Sequence, residues 1–303
     1  MYARRVAPPV AAPANPSSSV GFTFRRLGKP EELRAAEELQ RVAVGGADEA
    51  PVPVPVLRAV QDHGGIVLGA FADIYLAGLS VGFLGWDGQA LYHYVHRFVV
   101  RPEYLHHGLG RRLAAVVRDE ARQQGLETLR GTYDPLSSRA AYLTVHVLGG
   151  RPERYLVHHY GQSPDPAAVD RESDRVRWLW AIADPAIDER LAARPDRAAS
   201  PDPRFAAAVP IVETEPGETG LRLPTAVAEP SAATVTLEIP FDIDLIREHE
   251  PVGARRWRHA VRDAFRASFD LGYRVVDFAV SSTDHERRSY YLLEAGPTPP
   301  PPA

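Results

Sequence analysis

The sequence predicts a mixed α/β (α+β) fold: a mostly antiparallel sheet with helices on both faces, followed by a C-terminal α/β extension. Three observations lead there. Segments with strand and helix periodicity follow one another from Phe22 to Gly161, and three consecutive strands, Ile66–Ala72, Tyr75–Leu84 and Leu91–Val100, have connections too short for a helix, so they are antiparallel neighbours. A glycine-containing loop, HHGLGRR, opens an amphipathic helix after the third of these strands. A second long amphipathic helix, residues 252–271, lies among further strands late in the chain.

In order, FTFRRL (Phe22–Leu27) alternates as a strand does, and Pro30 with Glu31 and Glu32 begins a helix that Gly45-Gly46 stops. A loop over Pro51–Pro55 and a short helix, Val56–Asp62, follow. The run from Ile66 to Trp86 has the length of a membrane span, but Asp73, its glycines and the lack of basic flanks favour two buried strands joined near Ala72-Asp73. The helix from Leu109 to Gln124 presents Leu109, Leu113, Val116, Val117 and Ala121 on one face and ends at Gly125. Leu126–Tyr133 is a strand, Ser137 or Ser138 caps a helix running to Leu148, and Tyr155–Tyr160 is a further strand.

The expected organisation is a tail over 1–20, a domain over 21–161, a linker over 162–172, an extension over 173–295 and a tail over 296–303. Within the extension, Arg175–Ile182, Thr234–Ile239, Tyr273–Val280 and Ser289–Glu294 read as strands, and Ile187–Ala193 as a short helix; residues 209–230, rich in Pro and Glu, read as looped. Arg255, Arg258, Arg262 and Arg266 recur at helical spacing on the late helix and read as a solvated basic stripe paired with Asp263 and Asp270, with binding of a carboxylate or phosphate group as the alternative.

Composition narrows the function. A formal charge of −4 lacks the basic surplus of a nucleic-acid binder. With no cysteine, thiol nucleophiles, disulfides and Cys-based zinc sites are excluded, and a cytoplasmic setting is expected. The N-terminal prolines argue against a signal helix. No metal site is expected: His158 and His159, adjacent on a strand, would point apart.

The loop offers the clearest chemistry. Gly108 and Gly110 let the backbone approach a ligand, and the N–H groups at a helix start suit a phosphate or pyrophosphate. Upstream, His96 shares a strand face with Tyr94 and Phe98 by alternation, and imidazole suits a base near neutral pH; His93 falls on the opposite face.

Leu105–Gly110, L-H-H-G-L-G, between a strand and a helix and within this element order, resembles motif A of the GNAT superfamily of acyl-CoA-dependent N-acyltransferases. A narrower likeness, to a predicted-acetyltransferase group with a long C-terminal extension, rests on VHRFVVRPEY (Val95–Tyr104), TYDPL (Thr132–Leu136), LGG and HHYG (Leu148–Gly150, His158–Gly161) and SDRVRWLW (Ser173–Trp180), and on IPFDI, RRWRHAVRDAF and GYRVVDF later. The sequence departs from these patterns at Leu105, where the family has Gln or Arg, at Val145, where a Tyr acid often stands, and at Ala140 and Thr144 in a helix where the narrower group tends to have Asn.

The resemblance implies acetyl-CoA or another acyl-CoA as co-substrate and direct attack of an amine on the thioester. Main-chain groups of Phe98, Val99 and Val100 would flank the pantetheine. The N–H groups of His107, Gly108, Leu109, Gly110 and Arg111 would hold the pyrophosphate, with His106, Arg111 and Arg112 in support. His96 is the candidate base. Tyr142, the phenol nearest the vacant acid position, is the candidate acid, with Tyr160 as the alternative. Asp134, otherwise a turn-former before Pro135, and Tyr160 are assigned to the acceptor. The expected acceptor is a small-molecule amine, an amino acid among the options, with no nucleic acid or membrane as partner and a homodimer left open. The alternative function is an acyl-CoA-binding sensor or partner-binding subunit without turnover.

Overall fold

The computed structural model describes residues 21–44, 50–161, 172–192, 202–283 and 286–296. The N-terminal tail, the Gly45-Gly46 stop, nearly all of the expected linker and residues 297–303 of the C-terminal tail lie outside them. The chain divides into two compact units, one within Met1–Phe83 and His96–Glu120, the other within Leu84–Val95 and Ala121–Ala303. Among the described residues, no helix is long and apolar enough to cross a membrane.

In the first unit, β1 (Phe22–Arg26), β2 (Ile66–Ala72) and β3 (Tyr75–Trp86) form an antiparallel ladder, with Phe24 opposite Ala70 and Val67 opposite Val81. Asp73 turns β2 into β3 in the left-handed region, at φ 53°. α1 (Pro30–Val44) and α2 (Val54–Asp62) bury Leu33, Leu39 and Leu57 against Leu79 and Val81. The neighbour of Leu79, Gly78, faces the other way, and a Cβ there would meet Leu109 and Leu113 at 3.4 Å. Those two residues belong to α3 (Leu109–Gln123), so helices cover both faces of the sheet, as the alternation of strand side chains requires. β4 (Leu91–Val100) ends in this unit, where Arg101 donates its N–H to the Ala77 carbonyl at 2.8 Å and its Nε to that of Leu76 at 2.9 Å.

In the second unit, the start of β4 pairs in parallel with β5 (Thr128–Tyr133), His93 to Val95 opposite Leu129 to Gly131. α4 (Ser138–Ala141) is capped by Ser137 and continues as a π turn over Tyr142–Val147. β6 spans Arg151–Leu156 and β7 Arg175–Ala181. The strand expected at Tyr155–Tyr160 thus lies earlier, because His158 adopts a positive φ of 47° and turns the chain. β7, expected to open the extension, instead lies between β5 and β6 and pairs with both. Its buried Val176, Trp178 and Trp180 alternate along one face, which fits it to the interior of a sheet.

α5 (Pro185–Ala192) and α6 (Arg204–Ala207) precede a run expected to be looped. There the structure has β8 (Val209–Pro210), β9 (Val212–Pro216) and β10 (Arg222–Val227); the last two form a hairpin, with Pro224 at a register shift, where a missing N–H is tolerated. β11 (Thr234–Ile239), α7 (Ile243–His249), α8 (Pro251–Asp270), β12 (Tyr273–Ser282) and β13 (Arg287–Ala295) complete the unit, with sheet order β12-β13-β11-β8. α8 buries Trp257, Val261, Ala264 and Phe265, each at zero exposure, and Trp257 donates its indole N–H to the Arg222 carbonyl at 2.9 Å.

Candidate functional site

The loop before α3 is built by its backbone. Pro102–Tyr104 make one 3₁₀ turn, Leu105 is extended, and His106 and Gly108 are both left-handed, at φ 68° and 71°. No Cβ would clash at Gly108, so φ alone is what requires glycine there. This double turn delivers the chain into α3, where the Arg112 N–H bonds the Gly108 carbonyl at 3.2 Å. The N–H groups just before it fall in the first turn, where a helix supplies no internal acceptor. Leu109 and Leu113 anchor the helix start, at 1% and 0% exposure, and fix the direction of those donors.

Around the loop, His106 and Gly108 are exposed, and His107, Gly110 and Arg111 are half-buried. Arg112, expected to add charge to a phosphate site, is turned to β1. Its guanidinium lies 5.3 Å from the ring centroids of both Phe22 and Phe24 and donates to the Phe22 carbonyl at 3.3 Å. Phe98, Val99 and Val100 are half-buried along the end of β4, with Val99 against the α1–α2 core. His96 is half-buried, its ring 5.9 Å from that of Phe83, whereas His93 is fully buried. His96, Phe98, Val99, Val100 and the loop belong to the first unit, and His93 to the second.

The candidates Asp134, Tyr142 and Tyr160 belong to the second unit. Asp134, expected at the acceptor, is held by two arginines. Arg258, 1% exposed, donates to its two oxygens at 2.6 and 3.0 Å, Arg247 adds a third contact at 3.3 Å, and the Leu136 N–H a fourth at 2.9 Å. Burial would raise its pKa, but the Arg258 charge and hydrogen bonds outweigh that and hold the carboxyl well below its usual range. So engaged, Asp134 serves as a counter-ion for α8. The arginine stripe on α8 meets acids other than those expected: Arg258 takes Asp134, and Arg262 takes Asp174 and Glu172, all from elsewhere in the unit.

Tyr142 stacks on His146, ring centroids 5.0 Å apart. Tyr160 is exposed, with its hydroxyl 3.4 Å from Thr132 Oγ1 and the Arg175 guanidinium 5.0 Å from its ring centroid. Tyr94 joins this group through hydrogen bonds to Thr132 and Tyr160, and burial pushes its phenol up. Strand alternation puts Tyr94 on the His96 face, whereas Thr132 and Tyr160 reach it from distant parts of the chain.

His158, Glu172 and Asp174 bring ligand-type atoms within 4.8 Å of one another. Arg262 already donates to both acids, and Tyr155 donates to Asp174 at 2.7 Å, so a guanidinium meets the negative charge of the cluster. A cavity of about 450 Å³ in this unit, lined by Glu153, Arg154, Arg266 and Asp270 around Tyr155 and Phe269, contains none of the expected site residues.

Residues 34–143 match the model of the acetyltransferase (GNAT) family. Among solved structures, the chain is similar to the ribosomal-protein-S18-alanine N-acetyltransferase from Escherichia coli, at 18% identity and a TM-score of 0.43 over 59% of this chain and 99% of that one. It is similar to an acetyltransferase of the GNAT family from Streptococcus pneumoniae, at 16% identity and a TM-score of 0.43 over 52% and 98%. It is also similar to aminoglycoside 6'-acetyltransferase type Ii, at 15% identity and a TM-score of 0.42 over 53% and 97%. No curated protein matches the sequence.

Proposed function

We propose that this chain, whose residues 34–143 match the acetyltransferase (GNAT) family model, is an N-acyltransferase that moves an acetyl or other short acyl group from its coenzyme A thioester to the amine of a small molecule. The observation that carries the reading is the double left-handed turn at His106 and Gly108 leading into α3. The N–H groups of His107 to Arg111 would hold the pyrophosphate, and Arg111 would supply the charge that Arg112 gives to Phe22 and Phe24. Such a site binds an anion through main-chain donors, so it tolerates Leu105 in place of a polar side chain. Phe98, Val99 and Val100 would run beside the pantetheine, and His96 would take the proton of the acceptor ammonium. The acceptor would be a small amine, an amino acid among the options.

A second reading, acyl-CoA binding without turnover, is favoured by Val145, a buried apolar side chain where the resemblance leads one to expect an acid. One experiment separates the two. Calorimetric titration with acetyl-, succinyl- and free CoA is followed by a thiol-release screen against amino acids and other small amines. Binding with thiol release supports the enzyme, binding without release supports the sensor, and no binding sinks both.

A further inference from the structure

The arginine row of α8 ends at a cavity. Arg258, Arg262 and Arg266 succeed one another four residues apart, so they follow one side of the helix. The first two are met by acids. Arg266, one turn further on, makes no ion pair among the described residues and lines the cavity of about 450 Å³ instead. Asp270 lines it too. Arg266 and Asp270 have the spacing of a helical i,i+4 pair and do not form one, which leaves both charges to the cavity.

β6 supplies the rest of the lining through a bulge. Its pairing with β7 shifts register between Pro152 and Arg154. Strict alternation from the buried Pro152 would bury Arg154 and expose Tyr155. The extra residue, Glu153, resets the phase, so Glu153 and Arg154 are both exposed and Tyr155 is buried. Glu153 has one long contact, 3.7 Å to Arg177, and Arg154 makes no ion pair among the described residues. The apolar part of the lining is fixed from below. Tyr155 and Phe269 both pack on the fully buried Phe265, with ring centroids 5.6 and 5.4 Å away. The Tyr155 hydroxyl is already given to Asp174 at 2.7 Å.

We propose that this cavity binds a small zwitterion with an apolar side chain, an α-amino acid of the leucine or phenylalanine kind. β6 and α8 each bring one cation and one anion to it. A ligand of a single sign would be attracted by one pair and repelled by the other, whereas a carboxylate and an ammonium on one carbon satisfy both. Arg154 and Arg266 offer planar forks that match a carboxylate, and Glu153 and Asp270 accept from the ammonium. The side chain packs against Phe269 and the ring of Tyr155. The volume falls within the range of small-molecule sites, about 300–1,000 Å³. All these residues belong to the second unit, so the site stands by itself and does not depend on the acyltransferase reading.

The test is calorimetric titration of the full chain with L-leucine and L-phenylalanine, and with two capped forms of the latter. Phenylalaninamide lacks the carboxylate and N-acetylphenylalanine lacks the ammonium. A free amino acid should bind, and each cap should weaken binding by about tenfold or more, the effect of losing a hydrogen bond to a charged group. Arg266→Gln and Asp270→Asn should each weaken it to a similar degree with the melting temperature unchanged, since both side chains are exposed. Arg255→Gln, on the same helix but outside the cavity lining, should bind as the wild type does. Capped forms that bind as well as the free amino acid overturn the proposal, and so does a wild type that binds neither amino acid. Wild-type affinity in both Arg266→Gln and Asp270→Asn also overturns it, because the amino acid then sits elsewhere, an acceptor site included. Failure to bind acyl-CoA defeats the acyltransferase reading and leaves this site standing.

Discussion

Arg258, at 1% exposure, grips both oxygens of Asp134 at 2.6 and 3.0 Å, across 124 residues of sequence. The pair fastens α8 to the turn after β5. Arg258→Met keeps the length of the side chain but leaves Asp134 with Arg247 as its remaining arginine. Breaking a buried pair by removing one partner costs about 3–5 kcal/mol. The denaturation midpoint in urea should fall accordingly; an unchanged midpoint would show that the pair adds nothing.

Acid should loosen the same unit. Burial raises the pKa of Asp174, but the Arg262 hydrogen bond, the His158 N–H and the Tyr155 hydroxyl together bring it below the usual value, and Glu172 is lowered by Arg262 against its own burial. Asp134 is lowered too. A carboxyl whose folded pKa is depressed contributes stability that is complete above its unfolded value, about 4, and is lost as pH falls toward the folded value. Melting temperature should be level from about pH 7 to about pH 5 and drop below about pH 4. The drop should be smaller in Arg262→Met, which has already lost that contribution.

Gly108→Val should weaken acetyl-CoA binding at least about tenfold, because a left-handed φ costs a side chain about 1–2 kcal/mol and a β-branched one more. Calorimetry and a thermal melt on the same sample separate a lost site from a lost fold. Gly88, also left-handed but at the β3–β4 turn, serves as the control: Gly88→Ala should strain its turn and leave coenzyme affinity alone.

Two substitutions in the C-terminal layer should differ in size for a physical reason. Trp257→Ala empties a fully buried site and orphans the Arg222 carbonyl, at a cost of about 3–5 kcal/mol. Tyr291→Phe keeps the ring against Phe265 and Phe278 and removes only hydrogen bonds of 3.3 Å to the Tyr133 hydroxyl and the Pro135 carbonyl, at about 1 kcal/mol. Equal losses in urea titrations would contradict this account of the packing.

Much of the framework was legible because it is written in local periodicity. The strand–turn–strand reading of Ile66 to Trp86 needed only Asp73 and the glycines, and α3 and α8 needed only their apolar stripes. The looped reading of 209–230 failed because β9 and β10 carry Pro and Glu, which depress strand propensity yet are tolerated in a short hairpin at a register shift. His106 and Gly108 were legible as a turn. Arg112 was legible as a charge, but not as one spent on Phe22 and Phe24.

The sequence by itself determined the order of elements through α3, the glycine loop and the absence of thiol chemistry, since each depends on neighbours within a turn or two or on composition. Tertiary structure alone decided the fate of the charged groups. Asp134 with Arg258, Asp174 with Arg262 and His146 with Asp277 are separated by 124, 88 and 131 residues. No local pattern links such partners; they are chosen when the chain closes, because a charge taken from water must find its opposite wherever the fold has carried it.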